Sequence, residues 1–372
     1  MPRNVSMLLI SALACWLTAM AESGQASAGE ASRLAAAGLE SAARYSESHG
    51  GQATVVLSGG QTIFEHYAYG GSVGQPLGLS SGSKSFVGIA AIAAVQDGLI
   101  RLDDRAADAI SQWNDDPLKR LITYRQLLNM TSGLSRTTTG QGPTAPAWNE
   151  QADKPMAAKP GARFEYGAFQ QNVFALALEH KLDGESFEDY LQRRILDPLE
   201  IKVEWRLRCS DGRPWTGGGA FMTARDWATF GEFVRRQGNS SGKQIIDAKR
   251  FPECFRGTAE NPAYGLTWWL KSPVRAELVS QIPLLSEEWA AVANCDWLPG
   301  DLVAAFGGGK QRLYVIPSMK LVIVRLGSNS HGFSEVEFLS RLLRGGRAAD
   351  PTPSKSEALP AAVTNTISVP AH

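Results

Sequence analysis

Apolar and polar positions alternate with two different periods along this chain, and the period changes where the elements change. Residues 33–46 carry apolar side chains at helical spacing, which predicts an opening helix. The segments QATVVLSGG and QTIFEHYAYG follow as two strands joined at Gly59-Gly60, a hairpin signal. A Gly/Ser turn, GLSSGSKSF, then opens an apolar helical run from Phe86 to Val95 that stops at Asp97-Gly98. Further helices are predicted over 118–130, 169–180, 186–195 and about Thr223 to Arg236, the last one amphipathic. The period returns to strand-like in YGLTWWLK, DLVAAFG, QRLYVIP and KLVIVRLG, and a closing helix covers roughly 333–344.

Strands thus come early and late, and helices fill the middle. The economical arrangement is one antiparallel sheet built from both ends of the chain, an α/β chain of the α+β type, with a helical lobe at about 98–250 inserted between the sheet segments. The cleft between lobe and sheet is the natural place for a site. The stretch 136–162, rich in Thr, Gly, Pro and Ala, reads as a long surface loop of the kind that borders such a cleft. Residues 346–372 are Pro, Ala, Ser and Thr without periodicity and read as a disordered tail.

Charge narrows the possible partners. Lysine plus arginine and aspartate plus glutamate number 37 each, and no basic run marks a groove for nucleic acid or an anionic membrane. Arg3, the apolar run Val5 to Met20 and the small-x-small triplet Ala26-Ser27-Ala28 read as an export signal spanning 1–28, which leaves a chain from 29 to 345 before the tail. Ala19-Met20-Ala21 is the alternative cleavage pattern, and a lipoprotein reading would use Cys15. A periplasmic or secreted protein without stable membrane insertion is therefore expected. Cys209, Cys254 and Cys295 remain after cleavage, so at most one disulfide forms. The histidines are scattered and no ligand motif occurs, so neither metal nor cofactor is expected.

The chemistry concentrates in three places. Ser81-Gly82-Ser83-Lys84 opens a helix, where residues three apart share a face, so the serine and lysine side chains can meet. A serine hydroxyl needs a base beside it, and a lysine can serve when burial leaves it neutral. The helix start also offers unpaired N–H groups for an oxyanion. Pro160 to Tyr166 forms the second place: a tyrosine after a Pro-Gly turn that can reach into a cleft, with a pKa expected to fall beside the lysine ammonium. The third is the glycine run Gly307-Gly308-Gly309 with Lys310 and Gln311 between two strands, where Gly308 would offer a second oxyanion N–H. A rival nucleophile pattern, G-x-S-x-G, fits Ser80 and also Ser240. It calls for a strand before the serine, where GSVGQP reads as a turn, and for a later Asp and His, where His331 sits in a loop near the end of the chain.

The segments SSGSKSFVGIAAIAAVQDGLIRLDD, ITYRQLLNMTSGL, PGARFEYGAFQQNVFALALE, GGGAFMTARDWATFGEF, YGLTWW and GGGKQRLYVIPSMKLVIVRLG, in this order over roughly 50–345, resemble the serine β-lactamase-related hydrolases. That group includes class C β-lactamases, DD-peptidases, β-lactamase-fold esterases and nylon-oligomer hydrolases. The resemblance implies a β-lactamase/transpeptidase-like fold, an antiparallel sheet flanked by helices plus an all-helical lobe. It implies Ser81 as nucleophile, Lys84 as the motif lysine and Tyr166 as the tyrosine of a Tyr-x-Asn motif.

The departures bear on substrate. The motif asparagine is Ala168, and Ser210-Asp211-Gly212 only approximates Ser-Asp-Asn. The Lys-Thr-Gly strand motif is missing, and Gly307 to Gln311 resembles the shorter glycine-glutamine version of esterase-like and nylon-hydrolase-like branches, which implies Gln311 as a substrate-binding residue. The expected activity is hydrolysis of a small-molecule or peptide ester or amide through an acyl-enzyme. A true β-lactamase or DD-peptidase and a non-turnover acylated sensor are the alternatives. Gln170, Gln171 or Asn172 could replace the lost amide, and Trp148, Trp268 and Trp269 are candidate cleft residues.

Overall fold

The computed structural model describes residues 36–136, 145–274, 289–328 and 332–345. The predicted export signal with Cys15, the candidate His331, the tail, and positions 137–144 of the predicted loop lie outside the described residues.

Six strands make the main sheet, in the order β2-β1-β11-β10-β9-β8. They are β1 (Gly51–Ser58), β2 (Gln61–Tyr67), β8 (Trp269–Leu270), β9 (Val303–Gly307), β10 (Gln311–Ile316) and β11 (Leu321–Gly327). β1 pairs antiparallel with both β2 and β11, so the two ends of the chain meet at the centre of the sheet as the strand pattern predicts. The run YGLTWWLK contributes only the short edge strand β8. A smaller sheet joins β3 (Leu77–Gly78), β5 (Ala220–Met222) and β4 (Glu204–Trp205), and β6 (Asn239–Ser240) pairs with β7 (Lys243–Gln244).

Alternation along the strands divides the core in two. Leu313, Val315, Val322 and Val324 belong to one apolar cluster, whereas Tyr314, Ile316 and Ile323 belong to the other. The first face carries helix α7 (Ala224–Arg235), which packs on β10 and β11. The second carries α1 (36–48) and the closing helix Glu335–Arg344, through Leu39, Ala42, Phe338 and Leu339.

Between the sheet segments lie α2 (Lys84–Gln96), α3 (Tyr124–Leu128), α4 (Trp148–Ala152), α5 (Gln170–Glu179) and α6 (Phe187–Leu191). Residues Lys84 to Ala94 of α2 are all buried, as expected of a helix apolar on every side. α3 begins on a capping box: the Thr123 side chain meets the Gln126 N–H, and the Gln126 side chain meets the Thr123 N–H. α4 lies inside the stretch expected to be a surface loop, and its Trp148 is fully buried. Trp148 donates to the Pro214 carbonyl at 3.1 Å, so the apolar ring, not the loop-like composition around it, decides this segment.

Candidate active site

The site is built where α2 begins. A short 3₁₀ turn, Ser80–Ser83, leads directly into α2. Ser81 does not cap the helix. Ser83 does the tying instead: its Oγ donates to the Ser80 carbonyl at 2.6 Å and accepts the Ala220 N–H at 3.0 Å. That leaves the half-buried Ser81 hydroxyl to face Lys84, whose Nζ lies 2.9 Å from Ser81 Oγ.

Lys84 is 1% exposed. Its Nζ also donates to the Gly217 carbonyl at 2.6 Å. Burial is the cause that lowers its pKa from 10.5 to about 7. Gly217 can present that carbonyl because it is glycine: a Cβ there would stand 1.9 Å from the Ala168 carbonyl oxygen. The loop is held from behind by Asn172, whose Oδ1 accepts from Thr216 N at 2.9 Å and from Thr216 Oγ1 at 2.6 Å. No side-chain motif announces a backbone carbonyl, so Gly217 left no signal beyond the glycine turn in which it lies.

Tyr166 completes the cluster. Lys84 Nζ sits 5.0 Å from its ring centroid, and its hydroxyl lies close enough to Ser81 for the serine to lower its pKa in part. The ring packs against Tyr264 and Trp269, each with centroids 5.9 Å away. The expectation that its pKa falls is reversed. Burial pushes the hydroxyl up to about 12, and a lysine that is largely neutral supplies little opposing field. Tyr166 is therefore held protonated at neutral pH.

The glycine run forms the turn after β9. A Cβ on Gly307 would lie 2.0 Å from the Leu79 carbonyl oxygen, and one on Gly308 would lie 3.1 Å from Ser80 Oγ. The turn thus stands against the two residues that precede Ser81. Gln311 does not face this cleft. It is 6% exposed, its Nε2 donates to the Gly327 carbonyl and its Oε1 accepts the Gly327 N–H at 2.9 Å. The pleat places Gln311 on the inner face of β10, where its carboxamide ties β10 to β11, which corrects its expected role as a substrate-binding residue.

Other expectations are corrected by burial as well. Trp148 and Trp268 are 0% exposed and Trp269 is 2% exposed, so they are core residues, with Trp269 packed against Tyr166. Gln170 accepts from Ser132 and donates to the Glu165 carbonyl, and Asn172 serves Thr216, so neither carboxamide replaces the lost asparagine. Gln171 is also fully buried, with Nε2 on Met130 Sδ at 3.6 Å. Lys310 turns toward Glu335 at 3.5 Å and the Phe333 ring.

For the rival pattern at Ser80, the expectation of a turn alone before the serine is corrected: a short strand, β3, precedes it, and Ser80 has a left-handed φ of +49°. The structure supplies no histidine among the described residues: His49, His66 and His180 bond to Tyr45, Glu47 and Ala109. Ser240 lies in the β6–β7 hairpin. Cys209, Cys254 and Cys295 are all free thiols. Among the described residues no cluster could hold a metal ion, and no helix is long and apolar enough to cross a membrane.

An antiparallel sheet covered by helices on both faces, with a serine-lysine pair opening a buried helix at its edge, defines the class of β-lactamase-fold hydrolases. The family model for Beta-lactamase matches residues 36–345, and the chain belongs to that family. Curated relatives include Protein flp of Staphylococcus aureus (strain MW2), 26% identical over 133 residues. That match covers 33% of this chain and 26% of the relative, so the chain spans about a quarter of that protein's length.

Similar solved structures include a protein from Bacillus anthracis provisionally named a 6-aminohexanoate-dimer hydrolase. It has a TM-score of 0.64 and 20% identity, covering 80% of this chain and 78% of that one. A D-stereospecific amidohydrolase from Streptomyces sp. has a TM-score of 0.59 and 17% identity, covering 84% and 99%. A family VIII carboxylesterase has a TM-score of 0.63 and 13% identity, covering 83% and 95%. At these identities the likeness is one of fold.

Proposed function

We propose that the protein hydrolyses ester or amide bonds through an acyl-enzyme on Ser81. The observation that carries this reading is Lys84: a buried amine 2.9 Å from a serine hydroxyl, with a pKa lowered to about 7 by burial. Neutral Lys84 takes the Ser81 proton as Oγ attacks the substrate carbonyl. The Ser81 N–H, in the first turn where backbone donors lack helical acceptors, and the Gly308 N–H receive the oxyanion. Tyr166, protonated and beside Ser81, passes a proton to the leaving group and recovers it through Lys84. Water then attacks the acyl carbonyl by the same route and frees Ser81.

Substrate class follows from what faces the cleft. Ala168 offers no side-chain amide to an acylamino group, and Lys310 is turned to Glu335 instead of toward a substrate carboxylate. Both favour simple esters or amides without a carboxylate beside the scissile bond over β-lactams. The N-terminal pattern adds a periplasmic or secreted location, tested by sequencing the N-terminus of the mature protein for a start at Gly29.

Labelling with a fluorophosphonate and mapping the adduct tests the reaction. An adduct on Ser81 with many product equivalents per chain is the expected result. An adduct on Ser80 or Ser240 overturns the assignment, and about one equivalent per chain indicates an acylated sensor instead.

A further inference from the structure

Two arginines occupy the interior of the sheet. Arg312 on β10 and Arg325 on β11 stand directly opposite one another in the strand register, 1% and 0% exposed. Like charges placed opposite across a ladder repel, and each buried cation carries a desolvation cost. The hydrogen bonds show what this costly arrangement holds.

Arg312 Nη1 donates to the Gly307 carbonyl at 2.9 Å, while its Nε and Nη2 reach Glu335 Oε1 at 3.0 and 2.6 Å. Its guanidinium lies 4.1 Å from the Phe306 ring centroid. Arg325 Nη1 donates to the Gly309 carbonyl at 3.0 Å and the Lys310 carbonyl at 2.9 Å, and Nη2 donates to the His49 carbonyl at 2.8 Å. Three carbonyls around Gly308 are therefore drawn to the arginine side of the turn. Gly309 and Lys310 adopt φ values of +74° and +62° in doing so.

In a trans peptide the carbonyl and the following N–H point in opposite directions. With the Gly307 carbonyl pinned to Arg312, the Gly308 N–H is aimed away from the arginines. The turn meets Leu79 and Ser80, immediately before Ser81. A cation on the carbonyl also polarises the peptide and makes its N–H a better donor.

We propose that Arg312 and Arg325 are positioning residues for the oxyanion site, fixing the turn so that the Gly308 N–H faces the carbonyl attacked by Ser81. This rests on the acyl-transfer reading above. The guanidinium forks matter as well as the charges, because a lysine ammonium cannot span the carbonyls and the carboxylate with planar two-pronged geometry.

The test compares Arg312→Lys and Arg325→Lys with wild type on a short-chain aryl ester. Active sites are counted by end-point fluorophosphonate titration, and the Ki of an arylboronic acid is measured alongside. Expected is a roughly ten- to hundredfold fall in kcat per active site, matched by the boronate Ki, with KM changed by no more than about twofold. A purely structural role would lower Tm and the number of active sites but leave kcat per site intact, and that result overturns the proposal. If neither variant folds, a crystal structure of the wild-type boronate adduct decides. A boron-bound oxygen on the Gly308 N–H, with the Gly307 carbonyl still on Arg312, supports the proposal; an oxygen elsewhere or a released carbonyl overturns it. Wild type that takes no adduct on Ser81 removes the acyl-transfer reading itself, whereas a normal adduct with unchanged kcat in both lysine variants removes only the positioning role.

Discussion

The pH dependence of acylation is the most direct consequence of the buried lysine. Lys84 is moved from 10.5 to about 7 by desolvation. At pH 7.4 an amine of pKa 7 is about 70% neutral and one of pKa 10.5 about 0.1% neutral, so burial raises the fraction of usable base roughly a thousandfold. kcat/KM reports the free enzyme, so it should rise with pH through an apparent pKa near 7 and then level off. Lys84→Met keeps the length of the side chain and removes the base. It should lower kcat/KM by about 10²- to 10⁴-fold and abolish the limb near neutrality.

Stability should move the other way. The folded pKa is lowered, so the unfolded chain binds the extra proton between about 7 and 10.5, and wild-type stability rises with pH across that window. The full penalty, at most roughly 5 kcal/mol, is present below pH 7 and is offset in part by the bond to Gly217. Lys84→Met should therefore melt higher than wild type at pH 6, with the difference shrinking toward pH 10. The assays are initial rates on an aryl ester from pH 5.5 to 9 and thermal melts of both proteins over that range. A profile flat through neutrality, or a Met variant that keeps the same limb, refutes the reasoning.

Three further outcomes are expected. Tyr166→Phe keeps the ring contacts with Tyr264 and Trp269 and loses the proton donor, so kcat should fall by about 10²- to 10⁴-fold with Tm little changed; near-full turnover would remove Tyr166 from the mechanism. A short-chain aryl ester should exceed a chromogenic cephalosporin in kcat/KM, because one missing hydrogen bond to the acylamino group weakens recognition by about 1–3 kcal/mol; a hundredfold advantage for the cephalosporin would restore the β-lactamase alternative. Chelators should leave turnover unchanged, and stoichiometric zinc with chelator-sensitive turnover would contradict the metal-free reading.

The elements that sequence could reveal were those with a periodic or covalent signature. The β1–β2 hairpin follows from Gly59-Gly60, both left-handed in φ, and α7 starts at its Thr223 cap. Ser81 and Lys84 were legible because helical spacing alone brings positions three apart together. Gly217 was not, since its contribution is a carbonyl any residue possesses, aimed by a contact with Ala168 that only the fold creates. Arg312 and Arg325 sit in runs that read as ordinary strands, and an arginine in a strand is usually taken as solvent-facing. Here the pleat turns both inward. Tyr166 was located by sequence but its proton affinity was not, because the direction of the shift depends on how much aromatic surface encloses it.

The bond between Lys84 and the Gly217 carbonyl joins residues 133 apart in sequence, and the turn that abuts Ser80 arrives later still along the chain. Such distant pairings close large loops and are formed after local helices and hairpins. Turnover is thus a clock for the last stage of assembly: in a refolding experiment helical circular dichroism should recover first, and hydrolysis should lag behind it. In a denaturant titration the order should reverse, with catalysis vanishing before the secondary structure does. An enzyme wired in this way has no competent serine while half made, and its nucleophile stays silent until the sheet has closed behind it.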